Sequence, residues 1–77
     1  MNLDERKYFE RMSKYSPRNI ISNSVDSAAY ITYFSLMIAN IAKDALSEEI
    51  SPNNAKKEIS DLLDNIKQLK KGVEQNV

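Results

Sequence analysis

AAYITYFSLMIANIA, residues 28–42, carries no charged side chain, although charged residues make up 29% of the chain. A segment this apolar can cross a membrane, fill the core of its own domain or contact a second protein. A membrane-spanning helix needs about 20 mainly apolar residues. The uncharged window, residues 27–42, has 16 residues and is interrupted by Thr32, Ser35 and Asn40. It is too short and too polar to span a membrane, so we expect the central helix of a small soluble domain.

The length and composition of the chain favour a single all-α domain over residues 1–77. The 77 residues include one glycine, two prolines, no cysteine and no histidine. So few turn-forming residues, with abundant Ala, Leu, Ile, Lys and Glu, are typical of long helices. A chain of this length buries only about 60–65% of its unfolded surface. We therefore expect it to rely on well-packed helices or on a partner chain.

The first predicted helix covers about residues 3–15. Asn2 and Glu5 have the spacing of a capping box, which predicts the start of the helix. Pro17 disfavours helical geometry at the residue before it, which predicts the end. The side chains that share one face of this helix, and that we expect to be buried, are Tyr8, Phe9, Met12 and Tyr15.

The second and third predicted helices cover about residues 25–46 and 52–71. Ser51 and Pro52 are a typical N-cap and first residue of a helix, and Gly72 is suited to a left-handed C-cap. Three lysines near this end suit the helix dipole: Lys67, Lys70 and Lys71. Apolar residues at steps of four and three form a seam, which we expect to pack on the preceding helix: Ala55, Ile59, Leu62, Ile66, Leu69 and Val73.

On a helical wheel the second helix has three faces. The face of large apolar side chains, expected in the core, contains Tyr30, Ile31, Phe34, Met37, Ile38, Ile41 and Ala45. The face of mixed polarity, which can meet water, contains Val25, Asp26, Ala29, Tyr33, Leu36, Asn40, Lys43 and Asp44. The third face, here called the small-residue strip, contains Ala28, Thr32, Ser35, Ala39 and Ala42. Small side chains let another helix approach closely. Either one of the chain's own helices covers the strip, or it forms a self-association or partner seam, which is our hypothesis.

The candidate contact surface outside this helix is basic. Its cations are Lys7, Arg11, Lys14 and Arg18, of which the last lies in the connector after the first helix. Such a surface can hold a phosphate backbone or an acidic protein. The chain as a whole has 11 basic and 11 acidic residues, and no recognition-helix pattern accompanies the cations. Both kinds of partner therefore stay open for this face.

No catalytic, cofactor-binding or metal-binding residue is expected. Without histidine or cysteine there is no imidazole base, thiolate nucleophile or Cys/His zinc site. Glu58, Asp61 and Asp64 follow one side of the third helix, and their spacing fits solvated charges that pair with lysines. A single glycine cannot build a phosphate-binding loop. An enzyme is not expected.

The sequence favours a three-helix antiparallel bundle with the apolar second helix at its centre, completed by dimerisation. The favoured function is a non-enzymatic protein–protein interaction module, such as a regulator, inhibitor, adaptor or chaperone, that works as a homodimer. The alternatives are a nucleic-acid-associated regulator and a small membrane-associated protein without an integral span. The charged N-terminal residues do not resemble a secretory signal, which favours the cytoplasm. Many Lys, Ile and Asn residues are common in AT-rich genomes and mobile genetic elements, an association of little weight.

Overall fold

The computed structural model describes residues 1–16 and 25–75, with side chains at residues 1–16 and 26–70. It contains three α-helices: α1 (Leu3–Met12), α2 (Val25–Leu46) and α3 (Pro52–Gln75). Within these residues there is no β-strand. The prediction of an all-α protein with three helices is therefore confirmed.

Helix α2 lies between the other two helices and packs against both of them. The molecule measures 43 × 16 × 15 Å, and its longest dimension is close to the length of one long helix. Met1, Ala45 and Pro52 line one depression. The start of α1, the end of α2 and the start of α3 therefore lie at the same end of the molecule, a placement that fits an antiparallel bundle.

Helix α1 begins with the capping box that the sequence predicts. The side chain of Asn2 accepts a hydrogen bond from the amide of Glu5 at 2.8 Å, and the Glu5 carboxylate accepts one from the amide of Asn2 at 3.2 Å. The same carboxylate accepts a hydrogen bond from Nζ of Lys56 at 2.9 Å. The bond from Lys56, followed by that from the Asn2 amide, holds the pKa of Glu5 below its ordinary value. One carboxylate therefore caps α1 and joins it to α3.

The end of α1 differs from the prediction, because the helix stops at Met12 and not near residue 15. The amides of Lys14 and Tyr15 donate to carbonyls three residues earlier, at 3.2 and 3.0 Å. The hydroxyl of Ser13 donates to a carbonyl of the last turn at 2.7 Å. The chain after Met12 is therefore a tighter helical turn, which is a common way to satisfy the last carbonyls of a helix.

The hydrophobic core joins one aromatic residue of α1 to aliphatic residues of α2 and α3. Its buried members are Phe9, Ile31, Ile38, Ala42, Ala45, Ala55, Ile59, Leu62 and Ile66. Leu69 packs against the same core. The predicted seam of α3, as far as its side chains are described, thus faces the chain's own core, and this prediction is confirmed.

The buried face of α2 matches the predicted one only in part, since Ile31, Ile38 and Ala45 are buried as expected but the face is rotated. Tyr30, expected in the core, is 56% exposed, whereas Ser35 and Ala42 are 1% and 0% exposed. On the helical wheel the centre of the buried face moves by about 70° towards the small-residue strip. Small side chains allow neighbouring helices to come close. The core therefore forms over them, and the larger Phe34 and Met37 are left half-buried beside it.

Helix α2 ends in a Schellman motif at the connection to α3. Glu48 has a φ angle of 62°, in the left-handed region. Its amide donates to the carbonyl of Ala45 at 3.2 Å, and the amide of Glu49 donates to that of Asp44 at 2.9 Å. Any residue with a Cβ atom is strained in this conformation by roughly 1 kcal/mol, whereas glycine is not.

We expect Glu48→Gly to raise the free energy of unfolding by about 0.5–1 kcal/mol, because it relieves this strain. Urea unfolding followed by circular dichroism measures the change. Glu49→Gly is the matched control, since Glu49 is exposed but does not have a positive φ angle, and it should not be stabilising. An equal gain in the two variants would show that the lost negative charge is the cause, and not the backbone angle.

Helix α3 starts as predicted, with the amide of Asn54 donating to Oγ of Ser51 at 3.3 Å. It then continues to Gln75, beyond the predicted end at residue 71. No glycine in the described part of the chain has a positive φ angle, so the prediction of a left-handed cap at Gly72 is wrong. One glycine costs a helix only about 1 kcal/mol relative to alanine, so the helix can pass through it.

Candidate functional site

The small-residue strip is largely buried inside the chain. Ser35, Ala39 and Ala42 are 1%, 8% and 0% exposed, whereas Ala28 is half-buried and Thr32 is exposed. The hydroxyls of Thr32 and Ser35 donate to carbonyls four residues earlier, at 3.0 and 2.7 Å. Most of the strip thus already has neighbours within the chain. Self-association at this strip stays a prediction, and it would require three side chains to leave buried positions.

The basic residues predicted on α1 lie at its surface. Lys7, Arg11 and Lys14 are all exposed, and Arg18 lies outside the described residues. The guanidinium of Arg11 is 5.7 Å from the centre of the Tyr8 ring. This distance allows a cation–π interaction, which favours a position of the guanidinium against the surface of α1.

A third cation, from α3, completes a groove beside these residues. The groove has a volume of 320 Å³ and is lined by Arg11, Lys14, Tyr15, Ser16 and Lys70. We call it the basic groove. None of its described lining residues carries a negative charge. It lies between the end of α1 and the later turns of α3, so its positive charges come from both helices.

The cations of the basic groove are not used in an ion pair within residues 1–16 and 26–70. The ion pair found there joins Lys56 and Glu5, at the opposite end of α1. Arg11 and Lys14 are exposed and Lys70 is half-buried, and none of the three has a carboxylate oxygen within ion-pair distance among the described side chains. Groups of one sign placed in this way can hold an anionic ligand through charge-assisted hydrogen bonds.

The contribution of Lys70 is the part of the basic groove that sequence reasoning missed. Lys70 lies 56 positions after Lys14 in the chain, and only the return of α3 alongside α1 brings the two together. The available signal was the lysine cluster near residue 70. That cluster also has a local explanation, since lysines stabilise the C-terminal end of any helix.

A second exposed surface lies on α2, on the side away from the core. Tyr30, Tyr33 and Leu36 are 56%, 58% and 60% exposed. The rings of Tyr30 and Tyr33 have their centres 6.1 and 6.0 Å from that of the half-buried Phe34. A groove of 420 Å³ on this surface is lined by Asp26, Ala29, Tyr30 and Tyr33. Sequence reasoning missed this surface because it placed Tyr30 in the core and assigned Tyr33 and Leu36 to a water-facing side.

Two further features of the described residues concern metal binding, at the acidic side of α3, and membrane spanning, by the long helices. Glu58, Asp61 and Asp64 are all exposed. The residues that the structure describes contain no group of three or more acidic side chains arranged to hold a metal ion. In the same part of the chain, no helix combines the length and the hydropathy needed to cross a membrane.

Known proteins offer no guide to the role of these surfaces. No protein-family model matches the chain, and neither a curated protein nor a solved structure is significantly similar to it.

Proposed function

We propose that the protein is a non-enzymatic interaction module that binds an acidic segment of a partner protein in the basic groove. The observation that supports this is the convergence of Arg11, Lys14 and Lys70 on one groove whose described lining has no carboxylate. A guanidinium and two ammonium groups donate strong hydrogen bonds to carboxylates. Tyr15 adds an aromatic surface with a hydroxyl group, a combination that is common at protein interfaces. Such binding suits a regulator, inhibitor, adaptor or chaperone.

The net charge of the chain and the small number of groove cations favour an acidic protein over a nucleic acid as the partner. The basic and acidic residues of the chain are equal in number, whereas nucleic-acid-binding domains usually carry a strong positive excess. Asp4 and Glu10 are exposed on α1, the helix that carries the groove cation Arg11. A duplex-binding protein commonly neutralises about six to ten phosphates, more than three cations can contact. A nucleic-acid-associated regulator is the second candidate, supported by the same three cations and Tyr15.

Charge reversal within the basic groove tests the proposal. The probe is a fluorescently labelled oligoglutamate peptide, whose binding is measured by anisotropy at about 50 mM salt, where surface charges act most strongly. We expect Lys70→Glu to weaken binding about tenfold, because it places a carboxylate among the groove cations. Lys57→Glu is the matched control. It makes the same charge change at an exposed position of α3 that does not line the groove, and it should have little effect.

Three results would speak against this function. If the wild-type protein does not bind oligoglutamate at low salt, the groove does not recognise acidic segments. An equal loss in Lys70→Glu and Lys57→Glu would show a response to net charge alone. A labelled DNA duplex of random sequence is measured in parallel. Tighter binding to the duplex, lost in Lys70→Glu but kept in Lys57→Glu, would support the nucleic-acid alternative instead.

A further inference from the structure

We propose that the surface of α2 opposite the core is a two-fold contact between copies of this chain, with the two α2 helices antiparallel. The residues of this seam are Asp26, Ala29, Tyr33, Leu36, Asn40 and Lys43. They follow one another at steps of three and four, the spacing of a coiled-coil seam. All six are exposed. This dimer seam shares no residue with the small-residue strip or with the basic groove.

The position of the seam makes it accessible to a second copy. The six residues occupy an arc of about 100° on the helical wheel. The centre of this arc lies about 160° from the centre of the buried face of α2. A second helix can therefore approach without displacing α1 or α3, which is not true of the small-residue strip.

Opposite charges of the two copies meet along this seam only when the two α2 helices are antiparallel. A two-fold axis between Tyr33 and Leu36 places Tyr33 of each copy against Leu36 of the other. The same axis places Asp26 against Lys43 of the second copy, and this pair occurs twice. The exposed Asp44, at the same angle of the wheel as Asp26, borders each pair and weakens its attraction. A parallel arrangement would place like charges together at both ends. A closed two-fold contact needs such a self-complementary surface.

The middle of the seam supplies the apolar contact. Tyr33 and Leu36 are more than half exposed in the single chain, so the contact removes two large side chains per copy from water. The groove lined by Asp26, Ala29, Tyr30 and Tyr33 has the spacing of a hole that receives a side chain in coiled-coil packing. In the proposed register, Asn40 of the second copy lies opposite this hole, where its amide can donate to Asp26. A single polar residue of this kind favours one register.

The proposed contact is small, which sets the strength that we expect. The seam runs for about 26 Å along one helix of each copy. Stable complexes usually bury at least about 1,200 Å², and one pair of helices contributes less. We therefore expect a monomer–dimer equilibrium with a dissociation constant in the micromolar range, on the order of 10–100 µM.

Charge exchange at the two ends of the seam tests both the contact and its direction by sedimentation equilibrium. We expect Asp26→Lys alone and Lys43→Asp alone each to weaken self-association about tenfold, since each places like charges together twice. The double variant Asp26→Lys/Lys43→Asp should return to within about threefold of wild type, because opposite charges again meet. Circular dichroism verifies that α2 stays helical, since both exchanges oppose the helix dipole. A double variant as weak as the single variants would overturn the antiparallel arrangement.

A matched pair of leucine variants tests the apolar centre. Leu36→Glu should abolish the dimer, whereas Leu3→Glu should preserve it, because Leu3 is similarly exposed (66% against 60%) but lies on α1. A wild-type protein that is monomeric at about 1 mM would overturn the proposal. So would a dimer that survives Leu36→Glu but is lost in Ala39→Leu with helicity retained, since that result would assign the contact to the small-residue strip.

Discussion

Phe9→Ala should lower the free energy of unfolding by about 3–5 kcal/mol, the largest effect that we expect from a single substitution. The Phe9 side chain is 0% exposed and belongs to the core that α2 and α3 share. The Tyr8 ring packs edge-on against it, with ring centres 5.2 Å apart. Removing the ring loses its burial and its edge-on contact and leaves a cavity. A domain of 77 residues has a total stability of roughly 4–12 kcal/mol, so this loss is a large part of it.

Urea unfolding of Phe9→Ala and of a control in the same helix measures this effect. Leu3→Ala is the control, because Leu3 is 66% exposed and should cost less than about 0.5 kcal/mol. Hydrogen exchange separates the two ways in which the variant can fail. If α1 detaches alone, its amides lose protection while those of α2 and α3 keep theirs. A cost below about 1 kcal/mol would contradict the packing of α1 on the bundle.

Ala42→Leu should lower the free energy of unfolding by about 1–3 kcal/mol, because it inserts a larger side chain into a filled core. Ala42 is 0% exposed and lies within the core cluster. Core atoms are packed about as densely as in organic crystals, so three extra carbon atoms must push a helix outward. The substitution keeps a good helix former and adds apolar surface, so helix propensity and hydrophobicity do not explain a loss.

Thermal and urea unfolding of Ala42→Leu and Ala29→Leu provide the comparison. Ala29 is exposed on the same helix, and its substitution should change stability by less than about 0.5 kcal/mol in the monomer. The difference between the two variants therefore reports the close contact at the small residues of α2. Equal stabilities would show that the helices around Ala42 are far enough apart to accommodate a leucine side chain.

Local features of the sequence were sufficient to predict the ends of some helices. Asn2 and Glu5 form a capping box because both partners lie within one turn. Ser51 caps α3 for the same reason. Gly72 shows the limit of such reasoning: the residue is suited to a left-handed cap, but its presence does not require one. Whether a helix stops at a glycine depends on the contacts that its later turns make.

The orientation of α2 could not be predicted from periodicity alone. Large apolar residues such as Tyr30 gain the most from burial when considered singly, so a wheel centres the core on them. The folded chain instead centres the core near Ser35 and Ala42, where the helices can approach closely. The basic groove could be predicted only in part. Arg11 and Lys14 are close in sequence, but Lys70 is brought beside them only by the tertiary fold.

The double role of the Glu5 carboxylate has a consequence for the basic groove. A helix of ten residues such as α1 is too short to be stable by itself in water. The Glu5 carboxylate accepts hydrogen bonds both from the amide of Asn2, at the start of α1, and from Lys56, so the order of α1 and its docking on α3 are coupled. Arg11 and Lys14 keep their places opposite Lys70 only while α1 is docked. An acidic ligand that needs all three cations would therefore stabilise the docked helix by mass action, and the binding site and the first helix would form and melt together.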